Sequence, residues 1–143
     1  MATKAPLQYA IQAHSEPDGG GWVSCKETTI TFDASAGQSP TLPGPAELLI
    51  AAFAACVLKN VERFSVILPF RYRGASIQVT AEREETPPRI SAIHYTLRVV
   101  TDESPRRVEL LHHNIEQFGT IFNTLAASCA VAGEIIAEPW DAS

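Results

Sequence analysis

Residues Gly44 to Arg63 read GPAELLIAAFAACVLKNVER, and the fold turns on how this stretch is read. Pro45 suits the first turn of a helix, where its missing N–H is not needed. Leu48 to Leu58 then form an uncharged apolar run. A helix apolar on every side belongs in the middle of a structure with protein all round it. Lys59, Asn60, Glu62 and Arg63 predict emergence into wetter surroundings, and the helix is expected to reach about Ser65. Near the end of the apolar run stands Cys56, either as a small filler in a crowded helix or as a thiol held there to react.

The 143 residues, 45% hydrophobic and 19% charged, suit one globular domain, 1–143, with a real core. The apolar run falls short of the ~20 residues a membrane-spanning helix needs, so no membrane span is expected. The N-terminus, MATKAPLQYAIQAH, alternates apolar and polar residues rather than forming the continuous apolar core of a secretory signal, and a cytoplasmic protein is expected. Net charge is −5 and the eleven Lys and Arg are scattered, which argues against nucleic acid as a partner. Cys25, Cys56 and Cys129 are odd in number, widely spaced and without a C-x-x-C pair, so reduced thiols are expected rather than a disulfide scaffold or a zinc knuckle.

Leu7, Tyr9, Ile11 and Ala13 alternate with polar residues, which predicts a first strand with one buried face. The run PDGGGW (Pro17 to Trp22) resembles a phosphate loop only in composition. Strand-like WVSCK and TTITF follow it, not a helix, so it is read as a hairpin turn. Ser35 to Pro43 is loop chemistry. Beyond the long helix, Ala75, Ile77, Val79 and Ala81, then Ile93, Tyr95, Leu97 and Val99, show the two-residue period, and the EETPPR turn between them predicts an antiparallel hairpin. Asp102 or Ser104 can cap a second helix, with Pro105 in its first turn and Val108, Leu111, Ile115 and Phe118 facing inward. Gly119 ends or kinks that helix, a short helical turn follows through Phe122 and Leu125, and Val131 to Ala137 reads as a closing strand.

At about 100° per residue, Ala52, Phe53, Lys59, Asn60 and Arg63 share the face of Cys56, so the thiol lies where that face passes from apolar to polar. It is far from the helix N-terminus, and a nearby cation such as Lys59 would have to supply thiolate. His112 and Glu116, at i and i+4 with His113 beside them, are half of a metal site. Without an H-E-x-x-H pattern or a second cluster they are read as a solvated helix face, and no metal is expected. Cys25 and Cys129 fall in strand-like segments and are most simply sheet residues, though either could partner Cys56.

Taken together, PAELLIAAFAAC (Pro45 to Cys56), the N-terminal strands, the central hairpin, the second long helix and the final strand resemble the OsmC/Ohr proteins over nearly the whole chain. The resemblance implies an α+β fold in which antiparallel sheets wrap two central helices in an intertwined homodimer, with no cofactor. It also implies thiol chemistry. A thiolate attacks an organic hydroperoxide to give a sulfenic acid, a second cysteine condenses with it, and an outside dithiol resets the pair. Cys56 matches the attacking cysteine. The family's second cysteine opens a short helix in a Cys-Pro motif, and here Gly119 and Thr120, in QFGTIFNTL, take that place. Cys129 is ten residues further on.

Two further groups depart from the family pattern. Ala46 replaces a glutamate after the helix-starting proline, and Glu47, about 900° of helix before Cys56, is half a turn out of phase with it. No arginine precedes Arg63, and the cations before Lys59 are Lys4 and Lys26. Two readings follow from the resemblance. In one, Cys56 reduces a small apolar hydroperoxide with an external thiol reductant in oxidative-stress defence, and Phe53, Phe118, Gly119 and Phe122 bind the substrate. In the other, a non-catalytic dimer binds a small apolar or thiol-reactive ligand.

Overall fold

The computed structural model describes residues 5–141; Lys4, one of the two early cations, lies outside them. The chain divides into two compact units, the first ending at Leu48 and the second beginning at Leu49.

In the first unit, β1 (Gln12–Ser15), β2 (Gly20–Cys25) and β3 (Thr28–Asp33) form an antiparallel sheet in the order β1-β2-β3. The glycine run is the hairpin turn the sequence predicts. Gly19, at φ 95°, takes a left-handed conformation open to glycine, and its N–H reaches the Glu16 carbonyl at 3.0 Å. The first strand, in contrast, is shorter than the alternation predicts. Pairing starts at Gln12↔Ser24, one residue from the end of β2, so Leu7 and Tyr9 run beyond the strand they would pair with. These two side chains are more than four-fifths exposed, so the apolar alternation there marks no buried face within the unit.

Helix α1 (Pro45–Ile67) starts at the expected proline and runs two residues past Ser65. Glu47 closes its first turn by accepting from the Gly44 N–H at 2.8 Å, the carboxylate half of a capping box. The second unit continues with β4 (Gly74–Glu85) and β5 (Pro88–Val100), then α2 (Pro105–Phe118), α3 (Thr120–Ala126) and β6 (Ala130–Glu138). The hairpin β4–β5 is antiparallel as expected, but β6 pairs with β5 in parallel, which makes this sheet mixed. The reason is the connection. Parallel neighbours need a long crossover, and α2 with α3 supplies it. Ser104, rather than Asp102, caps α2 by accepting from the Arg107 N–H at 3.3 Å.

Two burial expectations change. Helix α1 is not covered on every side of the chain: Phe53, Val57, Val61 and Phe64 are in the core, while Leu49, Ala51, Ala52 and Ala55 are exposed. Apolar composition alone cannot say which side of a helix the chain's own sheet covers. Nor does the helix simply become wetter beyond Leu58, because Asn60 is buried between exposed Lys59 and Glu62. On α2, Val108, Leu111 and Ile115 face inward as predicted, but Phe118 is 54% exposed. Among the described residues, no helix is long and apolar enough to cross a membrane.

The core of this unit is set by β5, whose Ile93, Tyr95, Leu97 and Val99 are all but fully buried, as their alternation requires. Tyr95 is paired with Gly133 of β6, and its ring fills the space over that glycine. A Cβ at position 133 would run into the Tyr95 ring carbons. Gly133→Ala should therefore lower unfolding free energy by about 1–3 kcal/mol, the usual range for overpacking, measurable as a drop in the denaturant midpoint.

Candidate functional site

Cys56 lies in the fourth turn of α1, half-buried, at the border between the helix face turned to the core and the face left open. One turn earlier is Phe53, fully buried; one turn later is Asn60, 7% exposed. The Asn60 amide nitrogen donates to the Cys56 carbonyl at 2.8 Å and lies 3.6 Å from the Cys56 Sγ. Helical spacing allows both contacts, since i and i+4 stack on one face and Asn is short enough to turn back along it.

The chain comes back to the sulfur at the α2–α3 junction. Gly119 closes α2 through its N–H to the Ile115 carbonyl at 3.1 Å, and its own carbonyl receives the Asn123 N–H at 2.8 Å to start α3. A Cβ built at Gly119 would lie 3.3 Å from the Cys56 Sγ and 3.0 Å from the Phe122 Cβ. The residue sixty-three positions after Cys56 is thus its neighbour in space.

The named aromatic residues divide. Phe53 and Phe122 pack together with ring centroids 5.5 Å apart, behind the sulfur and Gly119, and Phe53 has no exposed surface. Phe118 lies against Phe64, two turns beyond Cys56, at 5.9 Å. The structure therefore groups Phe53, Cys56, Gly119 and Phe122, and sets Phe118 to the side as a half-exposed cover over Phe64.

His112 corrects another expectation. It is not on a solvated face but 8% exposed, because it falls in the stripe Val108, Leu111, Ile115 that α2 turns inward. Its Nε2 lies 2.6 Å from the Tyr95 hydroxyl and 3.6 Å from the Glu116 carboxylate. With a neutral imidazole, the phenol donates and Nε2 accepts, so that lone pair is committed. Among the described residues, no three metal-ligating side chains cluster. The position of His112 in the apolar stripe was readable from the sequence; that Tyr95 would meet it was not, since β5 and α2 come together only in the fold. Burial first, and then the Glu116 charge, push the Tyr95 phenol well above the ordinary tyrosine range.

Cys25 ends β2 and is strand as expected, whereas Cys129 sits in the bend before β6, its Sγ 3.2 Å from the Leu125 carbonyl. All three cysteines are free thiols.

A family model described as OsmC-like protein matches residues 36–133. Among solved structures, an OsmC-like protein from Mycoplasma pneumoniae is 16% identical, covers 93% of this chain and 99% of its own, and superposes with a TM-score of 0.85. An organic hydroperoxide resistance protein OsmC from Legionella pneumophila is 16% identical over 92% of this chain and 98% of its own, with a TM-score of 0.73. The organic hydroperoxide resistance protein OhrB of Bacillus subtilis, also 16% identical, covers 91% and 98% with a TM-score of 0.66. No curated protein matches the sequence.

Tyr95→Phe should destabilise the protein by about 1–3 kcal/mol, because it leaves the buried His112 Nε2 without its donor. The raised phenol also carries a pH signature. Only the unfolded chain ionises just above the ordinary value of ~10, so wild-type stability is full below that pH and falls as pH climbs past it. The fall should be smaller in the variant, as read from urea midpoints between pH 8 and 11.

Proposed function

The chain belongs to the OsmC-like protein family, and on that premise we propose that it is a thiol protein of oxidative-stress defence, acting in the cytoplasm, that reduces small apolar organic hydroperoxides through Cys56. In this reading the Cys56 thiolate attacks one peroxide oxygen, an S–O bond forms as the O–O bond breaks, and the leaving alkoxide takes a proton to become an alcohol. An external thiol then condenses with the sulfenic acid, water leaves, and a second external thiol exchanges with the mixed disulfide to restore Cys56.

The observation that carries the proposal is the half-buried sulfur against Gly119. The resemblance expects a second cysteine at that place, and a glycine there offers no sulfur, so the reducing thiol comes from outside. Two relatives of the same fold are named organic hydroperoxide resistance proteins. The Phe122 and Phe53 rings give the site an apolar back, with Gly119 on the substrate side. The exposed Leu49, Ala51, Ala52 and Ala55 side of α1 supports a homodimer, since a second copy would cover it.

Supplied with dithiothreitol, the wild type should consume cumene hydroperoxide, and Cys56→Ser should fall to the uncatalysed rate. Equal rates for the two would leave the ligand-binding dimer as the better reading. The juxtaposition with Gly119 has its own check. A disulfide holds each Cβ about 3 Å from the partner sulfur, close to what position 119 offers. Gly119→Cys should therefore close a disulfide with Cys56 on mild oxidation, removing two free thiols in a titration that the wild type leaves at three.

A further inference from the structure

We propose that Asn60 is a catalytic residue, its side-chain amide stabilising the negative charge of the Cys56 thiolate, in the role for which no arginine is supplied by the N-terminal region. The inference rests on the reading of Cys56 as the reacting thiol and adds the group that activates it.

The geometry is specific. The Asn60 nitrogen carries two hydrogens. One is fixed on the Cys56 carbonyl at 2.8 Å, which locks the side chain back along the helix, and the same nitrogen lies 3.6 Å from Sγ. Sulfur is large and its hydrogen bonds are correspondingly long. Among the described residues, this amide is the side chain that donates toward the sulfur. At 7% exposure it is also shielded from water, so the bond strengthens when the acceptor gains charge. A bond to the charged form favours that form.

Other titratable groups stand on the two elements around the sulfur. On α1 they are the exposed Lys59, Glu62 and Arg63; on α2 they are His112, His113 and Glu116, upstream of Gly119. The cations are solvated and screened, and the acidic groups oppose thiolate formation. The amide, by contrast, is neutral at every working pH, so its contribution does not titrate away. Its position also suits the reaction. As the thiolate attacks the peroxide, the sulfur's electron pair moves into the S–O bond, and an N–H donor that remains on the sulfur orients the pair without consuming a proton.

The test is the alkylation of Cys56 by iodoacetamide as a function of pH, in a Cys25→Ser/Cys129→Ser background, comparing Asn60, Asn60→Ala and Asn60→Asp. Asn60→Ala should move the midpoint up by about one pH unit, leaving roughly tenfold less thiolate at neutral pH, while the plateau rate at high pH stays within about twofold of the parent. Asn60→Asp, of the same shape, should move it further, because a carboxylate opposes the thiolate. A merely structural role would change the plateau or the thermal midpoint and leave the titration where it was. Superimposable titrations for parent and Asn60→Ala overturn the proposal; should the alanine variant not fold, an unmoved Asn60→Asp titration does so. No peroxide enters this experiment. Failure of wild type to consume hydroperoxide would remove the proposed reaction while a shifted titration would still place Asn60 on the thiolate.

Discussion

The second unit depends on where the ring of Tyr95 goes. The side chain is fully buried on the central strand of its sheet, over the bare backbone of Gly133, with Phe53 at 5.7 Å and Phe122 at 6.0 Å. These separations lie in the range where aromatic rings attract at their edges and offset faces. One ring therefore contacts side chains of three helices, Phe53, His112 and Phe122, and lies over the neighbouring strand. Its hydroxyl cannot be left bare in such a place, and His112 of α2 meets it. Since Phe53 is one helical turn from Cys56 and Phe122 is three residues from Gly119, fixing the ring also fixes the two backbone segments that frame the sulfur.

The meeting of α1 with the α2–α3 junction is what converts an ordinary cysteine into a candidate site. Gly119 has a φ of −71°, which any residue can adopt, so the glycine is not required by backbone conformation. What its missing side chain does is leave only a hydrogen facing the thiol. With the Ile115 carbonyl oxygen, the Phe122 Cβ and the Cys56 sulfur all within 3.3 Å of where a Cβ would stand, the neighbourhood is tight, and the side-chain partner of the sulfur comes from its own helix one turn on. Thiol chemistry needs a way to hold negative charge at sulfur in such surroundings, and a fixed amide dipole is one that a low-dielectric site makes more effective than it would be in water.

Helix α1 has two unlike sides, and that difference bears on assembly. The side bearing Phe53, Val57, Val61 and Phe64 is sealed by the chain itself, and the side bearing Leu49, Ala51, Ala52 and Ala55 is not. Alanines form a flat surface that lets another element approach closely, which fits the homodimer proposed here better than a solvated helix face would. The same helix thus serves a core on one side and offers an apolar surface on the other, with the thiol at the border.

The sequence by itself determined what local periodicity and local sterics can encode. The proline-started helix to about Ser65, the glycine hairpin, the alternating strands of β4 and β5, a cap at Asp102 or Ser104 and the break at Gly119 are set by neighbours a few residues apart. The family was legible too, because the order of these elements and the motif at Cys56 are sequence properties. Tertiary structure decided the rest, where the deciding partner is distant in the chain. The parallel run of β6 depends on how the crossover returns, and the covered side of α1 on which residues the sheet reaches. Likewise, the place of His112 in the inward stripe of α2 could be read from spacing, but only the fold shows that Tyr95 of another element meets its Nε2. Spacing placed Asn60 on the face of Cys56, but only the folded side chain shows its amide turned toward the sulfur, since a rotamer is chosen by packing and not by sequence distance.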